Sequence, residues 1–322
     1  MRLADELLQQ AFAKRAGDIL LLPGGKDYIV KFFCQGTYQM ITKLKKASAQ
    51  QMIAYFKFQA NMMLSEQRRP QLGALTVTLA GNEIFLRLST VGDFLGRESL
   101  VIRLIYPLER ATKNFLDLKQ WSRLENVCQK KGLVLLAGPM GSGKTTTMYQ
   151  LAKKLTDQQV MCIEDPVEIK DDSFLQLEVN EPAQMSYEIL LKAALRHHPD
   201  IFIIGEIRDT QTAHIALTAA LSGHLVLSTV HAMSATGILT RLEDLGLAKK
   251  DVLQVTQCFS YQRLLPLKDG TQAVLFDLIF KQEFKTVFRS EMTMTKEWRD
   301  ELERSVAEGK ITKRTKQAFL EG

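Results

Sequence analysis

The chain has 322 residues, 46% of them hydrophobic and 24% charged, about twice the length of an ordinary domain. It can therefore build two cores, and it is neither disordered, collagen-like nor a coiled coil. Lys and Arg number 42 against 36 Asp and Glu, a net charge of +6, which suits a solvated, slightly basic surface and is too mild to define a nucleic-acid groove.

No apolar run approaches the ~18 residues that a bilayer span requires. Asp5 and Glu6 stand where an export signal would be apolar, so a cytoplasmic location is expected. Leu3, Leu7, Leu8 and Phe12 recur at helical spacing over 3–15. A strand over 18–22, a turn at Pro23-Gly24-Gly25 and a returning strand over 28–34 follow. A helix over 47–64 and strands over 74–79 and 84–88, turned at Ala80-Gly81-Asn82, complete a small α+β domain assigned to 1–108. Pro107 breaks the pattern, and a polar linker is placed at 109–118.

From Gly132 the rhythm changes to short apolar runs at 133–137, 160–163, 201–204 and 225–227, separated by helical stretches. That alternation predicts a largely parallel sheet in a second domain over 119–322. Near the C-terminus, Trp298, Leu302 and Val306 at helical spacing predict a terminal helix pair. Cys34, Cys128, Cys162 and Cys258 form no C-x-x-C pair and read as reduced core thiols.

The run at 133–137 leads directly into Gly138-Pro139-Met140-Gly141-Ser142-Gly143-Lys144-Thr145-Thr146, a match to G-x-x-x-x-G-K-[ST] in the strand-then-helix setting the motif needs. Such glycines let backbone N–H groups curl around phosphate oxygens at a helix N-terminus. Lys144 then reaches the β and γ oxygens of ATP, and the Thr145 hydroxyl ligates Mg²⁺.

Two further strands end in acids. One closes in Gly205-Glu206-Ile207-Arg208-Asp209 and puts a carboxylate at the edge of the sheet where α/β folds bind ligands. The other runs through Met161-Cys162-Ile163-Glu164-Asp165 and is stopped by Pro166. Facing one phosphate site, one acid can hold Mg²⁺ and the other orient water. Glu168, just beyond, reads as a solvated loop acid. The five histidines, His197, His198, His214, His224 and His231, crowd into one stretch, but their spacing argues against a metal site. His231 ends a strand at the same edge as Glu206, within reach of a γ-phosphate or of an acid.

With these residues the chain resembles the secretion-superfamily ATPases of type II secretion and type IV pili. Four of that family's boxes occur in order: GPMGSGKTTTMY, IEDPVE, LRHHPDIFIIGEIRD with HIALTAALSGHLVLST, and STVHAMSATGILTRLEDLG. Upstream, Ala16-Gly17-Asp18-Ile19 and RLSTVGDFLGRESLVIRL resemble the start and the final segment of the family's second N-terminal domain. The resemblance implies an α/β fold class: a small α+β N-terminal domain, then a RecA-like P-loop NTPase domain with a helical C-terminal part. It further implies a homohexamer with ATP and Mg²⁺ between neighbouring chains. Glu164 is then the water-activating base, Glu206 the Mg²⁺-side carboxylate beside Thr145, and His231 the γ-phosphate sensor, with the two acids exchangeable. Arg87 and Arg103 match the arginines the family supplies to the nucleotide, with one extra residue between them here, and Arg208 braces the sheet edge.

Three departures narrow the resemblance: no first N-terminal domain, no four-cysteine zinc insert, and no AIRNLIRE-like segment of retraction motors. The chain is most similar to the competence-pilus assembly branch of Gram-positive bacteria. That implies a motor at the inner face of the cell membrane, acting on a polytopic membrane platform protein and indirectly on pseudopilins, for DNA uptake without direct nucleic-acid contact. His198 stands where many relatives carry Asp, and Pro70-Gln71-Leu72-Gly73-Ala74 lacks the Asp and Arg of the usual PQDGR. The competing expectations are a type II secretion or type IV pilus assembly ATPase with other cargo, a RecA-like DNA translocase, and a P-loop protein that binds nucleotide as a structural switch.

Overall fold

Strands that alternate buried and exposed side chains have one face to bury, and the first unit, Met1–Arg110, is built from such strands. The computed structural model describes residues 2–34, 37–106, 108, 114–155, 157–180, 183–288 and 294–322. In this unit β1 (Asp18–Pro23), β2 (Asp27–Cys34), β3 (Thr37–Lys45), β4 (Gln71–Leu79), β5 (Asn82–Gly92) and β6 (Glu98–Ile105) form one sheet in the order β3-β2-β1-β6-β5-β4. Every pairing is antiparallel. Leu7, Leu8 and Phe12 of α1 (Arg2–Ala13) and Ile53 and Phe56 of α2 (Lys46–Gln59) share one core with Ile19, Val30, Phe32, Ile84 and Ile102.

The second helix stops earlier than its apolar residues suggest. Asn61 takes a left-handed backbone, φ 53°, and Met62 N–H returns to the Lys57 carbonyl at 2.8 Å, a hydrogen-bonded helix stop. Lys57 itself is buried, and its ammonium is matched at 2.6 Å by both Glu98 Oε1 and the Glu66 carbonyl. The strand β3 had no sequence signal because it is an edge strand with mostly exposed residues on both faces.

The second unit, Ala111–Gly322, has a seven-stranded sheet. Its strands are β7 (Gly132–Ala137), β8 (Val160–Glu164), β9 (Leu175–Glu178), β10 (Ile201–Ile207), β11 (Leu225–Val230), β12 (Thr256–Pro266) and β13 (Gln272–Phe280), in the order β13-β12-β7-β11-β10-β8-β9. From β12 to β9 the neighbours run parallel, and only β13 is antiparallel, to β12. In β7, β8 and β11 every residue is buried, in keeping with the apolar runs at 133–137, 160–163 and 225–227.

The helices α3 (Leu118–Val127), α4 (Lys144–Lys153), α5 (Tyr187–Ala194), α6 (Thr210–Leu221), α7 (Gly237–Asp244) and α8 (Lys249–Val255) alternate with these strands. At the sheet edge, Gln120 of α3 donates to the Phe276 carbonyl at 2.8 Å and accepts from its N–H at 3.2 Å, sealing the exposed ladder of β13. After the short α9 (Phe284–Val287), the predicted terminal pair is present as α10 (Lys296–Ala307) and α11 (Lys313–Ala318). Thr295 and Thr312 cap them, and Trp298 Nε1 donates to the Phe319 carbonyl at 2.9 Å.

Of the linker expected at 109–118, residues 109–113 lie outside the described residues, as does Pro107, and Leu118 opens α3. All four cysteines are buried and free. Among the described residues no helix is long and apolar enough to cross a membrane.

Candidate active site

Between the end of β7 and the start of α4 the chain must curl so that its amides face inward. Gly138, Gly141 and Gly143 do this at φ 144°, 75° and 85°, backbone states that a Cβ disfavours. A Cβ on Gly138 would also stand 2.4 Å from the Gln262 carbonyl oxygen. Gln262, fully buried on β12, donates its Nε2 to the Ser142 carbonyl at 2.6 Å, so the neighbouring strand holds the loop from beneath.

The N-cap of α4 is Gly143, which offers no side-chain acceptor, so the positive end of the helix is left for a ligand. Buried Ser142 Oγ has no hydrogen-bond partner. Lys144 Nζ donates to the carbonyls of Gly138 at 2.9 Å and Pro139 at 3.1 Å. Burial pushes its pKa below the usual lysine range, against the pull of Glu206 and Glu168. Met140 and Gly141 form the exposed rim, and Thr145 and Thr146 lie in the first turn of α4. A cradle closed to side chains, an orphaned hydroxyl and a partly dehydrated ammonium together fit a polyphosphate with its Mg²⁺.

Both acids stand at the carboxyl ends of adjacent strands, where β8 and β10 pair Ile163 with Ile204. Glu164 is only 2% exposed, and the Tyr149 hydroxyl of α4 donates to its Oε1. Gly205 gives Glu164 its space, since a Cβ there would come within 3.1 Å of the Glu164 Cγ. The register of β10 shifts at this glycine, Ile204 pairing with Ser228 and Glu206 with Thr229. The Ser228 and Thr229 hydroxyls donate to the Ile204 and Gly205 carbonyls at 2.6 and 2.8 Å and hold the bulge.

Beyond the bulge Glu206 meets an arginine and a histidine. Arg208 Nε donates to its Oε2 at 2.7 Å, and that bond raises the pKa of the guanidinium. His231 Nε2 lies 2.7 Å from its Oε1, off the angle of a hydrogen bond. Arg208 and His231 thus both stand beside Glu206 at the sheet edge. A cleft of about 130 Å³ lined by Asp165, Tyr187, Glu206 and Arg208 opens beside them.

Glu168 makes a contact that its sequence position hid. It is exposed, yet Thr145 Oγ1 donates to its Oε2 at 2.8 Å. A hydroxyl has one proton, so giving it to Glu168 leaves both Thr145 lone pairs for a cation. The available signal was an acid at the end of the same proline-broken box. Tyr149 and Gln262 were not singled out either, since an apolar helix position and a strand glutamine carry no motif.

Arg87 and Arg103 belong to the first unit, on β5 and β6, where they are register partners. They alternate with buried Leu86, Leu88, Ile102 and Leu104, and so stand on the outer face of that sheet. Arg103 Nε donates to Asp18 Oδ1 at 2.8 Å. The histidines make no metal cluster: among the described residues no group of three His, Cys, Asp or Glu is arranged to hold an ion.

A parallel sheet with a P-loop after β7 and two carboxylates at its edge defines a RecA-like P-loop ATPase. The family described as Type II/IV secretion system protein matches residues 1–312, and the chain belongs to it. Competence protein ComGA of Streptococcus pneumoniae is 42% identical over 268 residues, 82% of this chain and 84% of that protein. The ComGA of Bacillus subtilis is 38% identical over 272 residues, 83% and 76% of the two chains. Among solved structures the Legionella pneumophila ATPase DotB superposes with a TM-score of 0.76 at 19% identity, over 98% of this chain and 94% of that one, which supports the fold.

Proposed function

We propose that the protein is the hexameric ATP-hydrolysing motor that powers assembly of a type IV-like competence pseudopilus for DNA uptake. The observation that carries hydrolysis is the pair Glu164 and Glu206 on adjacent strand ends beside the Lys144 loop. Likeness to two ComGA proteins supports the competence branch. Lys144 and the loop amides bind the β and γ phosphates, and Thr145 with Glu206 holds Mg²⁺, which when bound neutralises phosphate charge. Glu164 takes the proton of the attacking water, and His231 reads the γ-phosphate position.

The division into 1–108, a linker at 109–118 and 119–322 belongs to the same reading. The first domain of one chain supplies Arg87 and Arg103 to the nucleotide of another. Arg103 keeps about half of its side chain exposed, 54%, while paired with Asp18. The motor acts at the inner face of the membrane on a polytopic platform protein, and through it on pseudopilins, without gripping DNA.

Deleting the gene in its source organism tests the biological assignment: transformation is lost while growth stays normal. Salt-dependent DNA binding by the purified protein would instead favour a translocase. Assembly has its own test. Lys144→Ala loses at least ~100-fold in turnover, a missing arginine finger roughly 10³-fold or more, and mixing Lys144→Ala with Arg103→Ala chains restores activity. A fully active, concentration-independent monomer overturns the hexameric mechanism.

A further inference from the structure

The helix α4 meets the acidic segment twice. Thr145 and Tyr149 are four residues apart and share one helix face. The first donates its hydroxyl to Glu168 at 2.8 Å, the second to Glu164. Tyr149 is fully buried and Glu164 nearly so.

The direction of the buried bond follows from its other partners. Gln176 Oε1 accepts the Asp171 N–H at 2.9 Å, and Gln176 Nε2 donates to the Ile169 carbonyl at 2.6 Å, which fixes the amide orientation. The same Nε2 donates to Tyr149 Oη at 2.6 Å. The phenol oxygen already receives this proton, and of the two groups its own proton can reach, Glu164 and the Cys162 thiol, the carboxylate is the stronger acceptor.

From this geometry we infer that Tyr149 is a positioning residue, holding Glu164 as a fixed proton acceptor; the inference rests on Glu164 being the base. A carboxyl group this buried favours its neutral form, which cannot accept a proton from water. A donated hydrogen bond favours the anion and opposes that effect. The phenol remains a donor, because burial, with Cys162 and Glu164 nearby, pushes its pKa far above the usual value. Gly205 on β10 lets the backbone come close on the other side, since a Cβ there would fall 3.1 Å from the Glu164 Cγ.

Tyr149→Phe in the full chain removes one oxygen. The ring keeps its place beside Phe174, whose centroid is 5.5 Å away, and Gln176 keeps the Ile169 carbonyl. Turnover number is expected to fall about 10- to 100-fold, the size of a lost hydrogen bond to a charged group. Mg·ATP affinity, read by displacement of a fluorescent nucleotide, stays within about twofold. In a Glu164→Gln background, followed by single-turnover hydrolysis, Tyr149→Phe causes no further loss. Wild-type turnover in Glu164→Gln defeats the base assignment and this inference with it. An inactive Glu164→Gln beside a fully active Tyr149→Phe defeats the inference alone. So does an additive loss in the double variant, or a loss accompanied by weak nucleotide binding, because either marks a merely structural tyrosine.

Discussion

Glu164 and Glu206 are the same residue at the ends of neighbouring strands, yet their surroundings are opposite. Glu164 is enclosed and meets a neutral phenol, while Glu206 is turned by a bulge toward the Arg208 guanidinium and the His231 ring. A dehydrated carboxylate with a neutral donor keeps its appetite for a proton. One that faces a guanidinium is better suited to organise charge. The difference between the two acids thus arises from a tyrosine on α4 and a one-residue slip in β10, not from residue type.

The comparison breaks most sharply if each acid is made neutral in turn. General-base catalysis contributes about 10²- to 10⁴-fold, so Glu164→Gln is expected to lose turnover on that scale while still binding Mg·ATP. Glu206→Gln should lose turnover and also require more Mg²⁺, and it releases Arg208 from its partner. Titrating Mg²⁺ against turnover and nucleotide affinity separates them. Exchanged phenotypes would exchange the roles.

A smaller effect sharpens the metal side. If Glu168 orients the Thr145 hydroxyl, Glu168→Gln should raise the Mg²⁺ concentration for half-maximal activity by about tenfold, the low end for groups that orient metal ligands. Nucleotide binding measured without Mg²⁺ should stay unchanged. An unaltered Mg²⁺ dependence would return Glu168 to the role of a solvated acid.

These environments were only partly legible in the sequence. The P-loop was legible because phosphate binding demands glycine, lysine and a hydroxyl in fixed order, and β7, β8 and β11 because full burial leaves apolar runs. The edge strand β3 and the polar-studded β12, with Gln257, Ser260, Gln262 and Arg263, showed no clean period. The contacts that distinguish the acids join residues far apart in the chain: 15 positions for Tyr149 and Glu164, 23 for Thr145 and Glu168, 120 for Ser142 and Gln262. Only the fold brings such pairs together, so no local spacing announces them.

The smallest expected effect comes from a third buried carboxyl that serves as a control on the first. Asp277 of β13, like Glu164, is enclosed and accepts a hydroxyl bond, here from Thr295, the cap of α10, whose N–H also lies 3.3 Å from Oδ1. Burial pushes its pKa up to about 6, and the Thr295 bonds oppose the rise without cancelling it. The folded value is above the ordinary 3.8, so the folded protein holds this proton more tightly than the unfolded chain does. Its contribution to stability is complete below about pH 4, declines as pH rises towards 6, and is gone above that, a change on the order of 3 kcal/mol. Asp277→Asn cannot ionise and keeps an oxygen for Thr295, so its stability should stay level across that window and match or exceed the parent protein at pH 7.5. Both tryptophans of the chain, Trp121 and Trp298, lie in the second unit, and their fluorescence during urea unfolding reports its stability. Parallel pH curves for parent and variant would show that Asp277 ionises normally, and that enclosure beside a hydroxyl is not enough to perturb a carboxyl group in this fold.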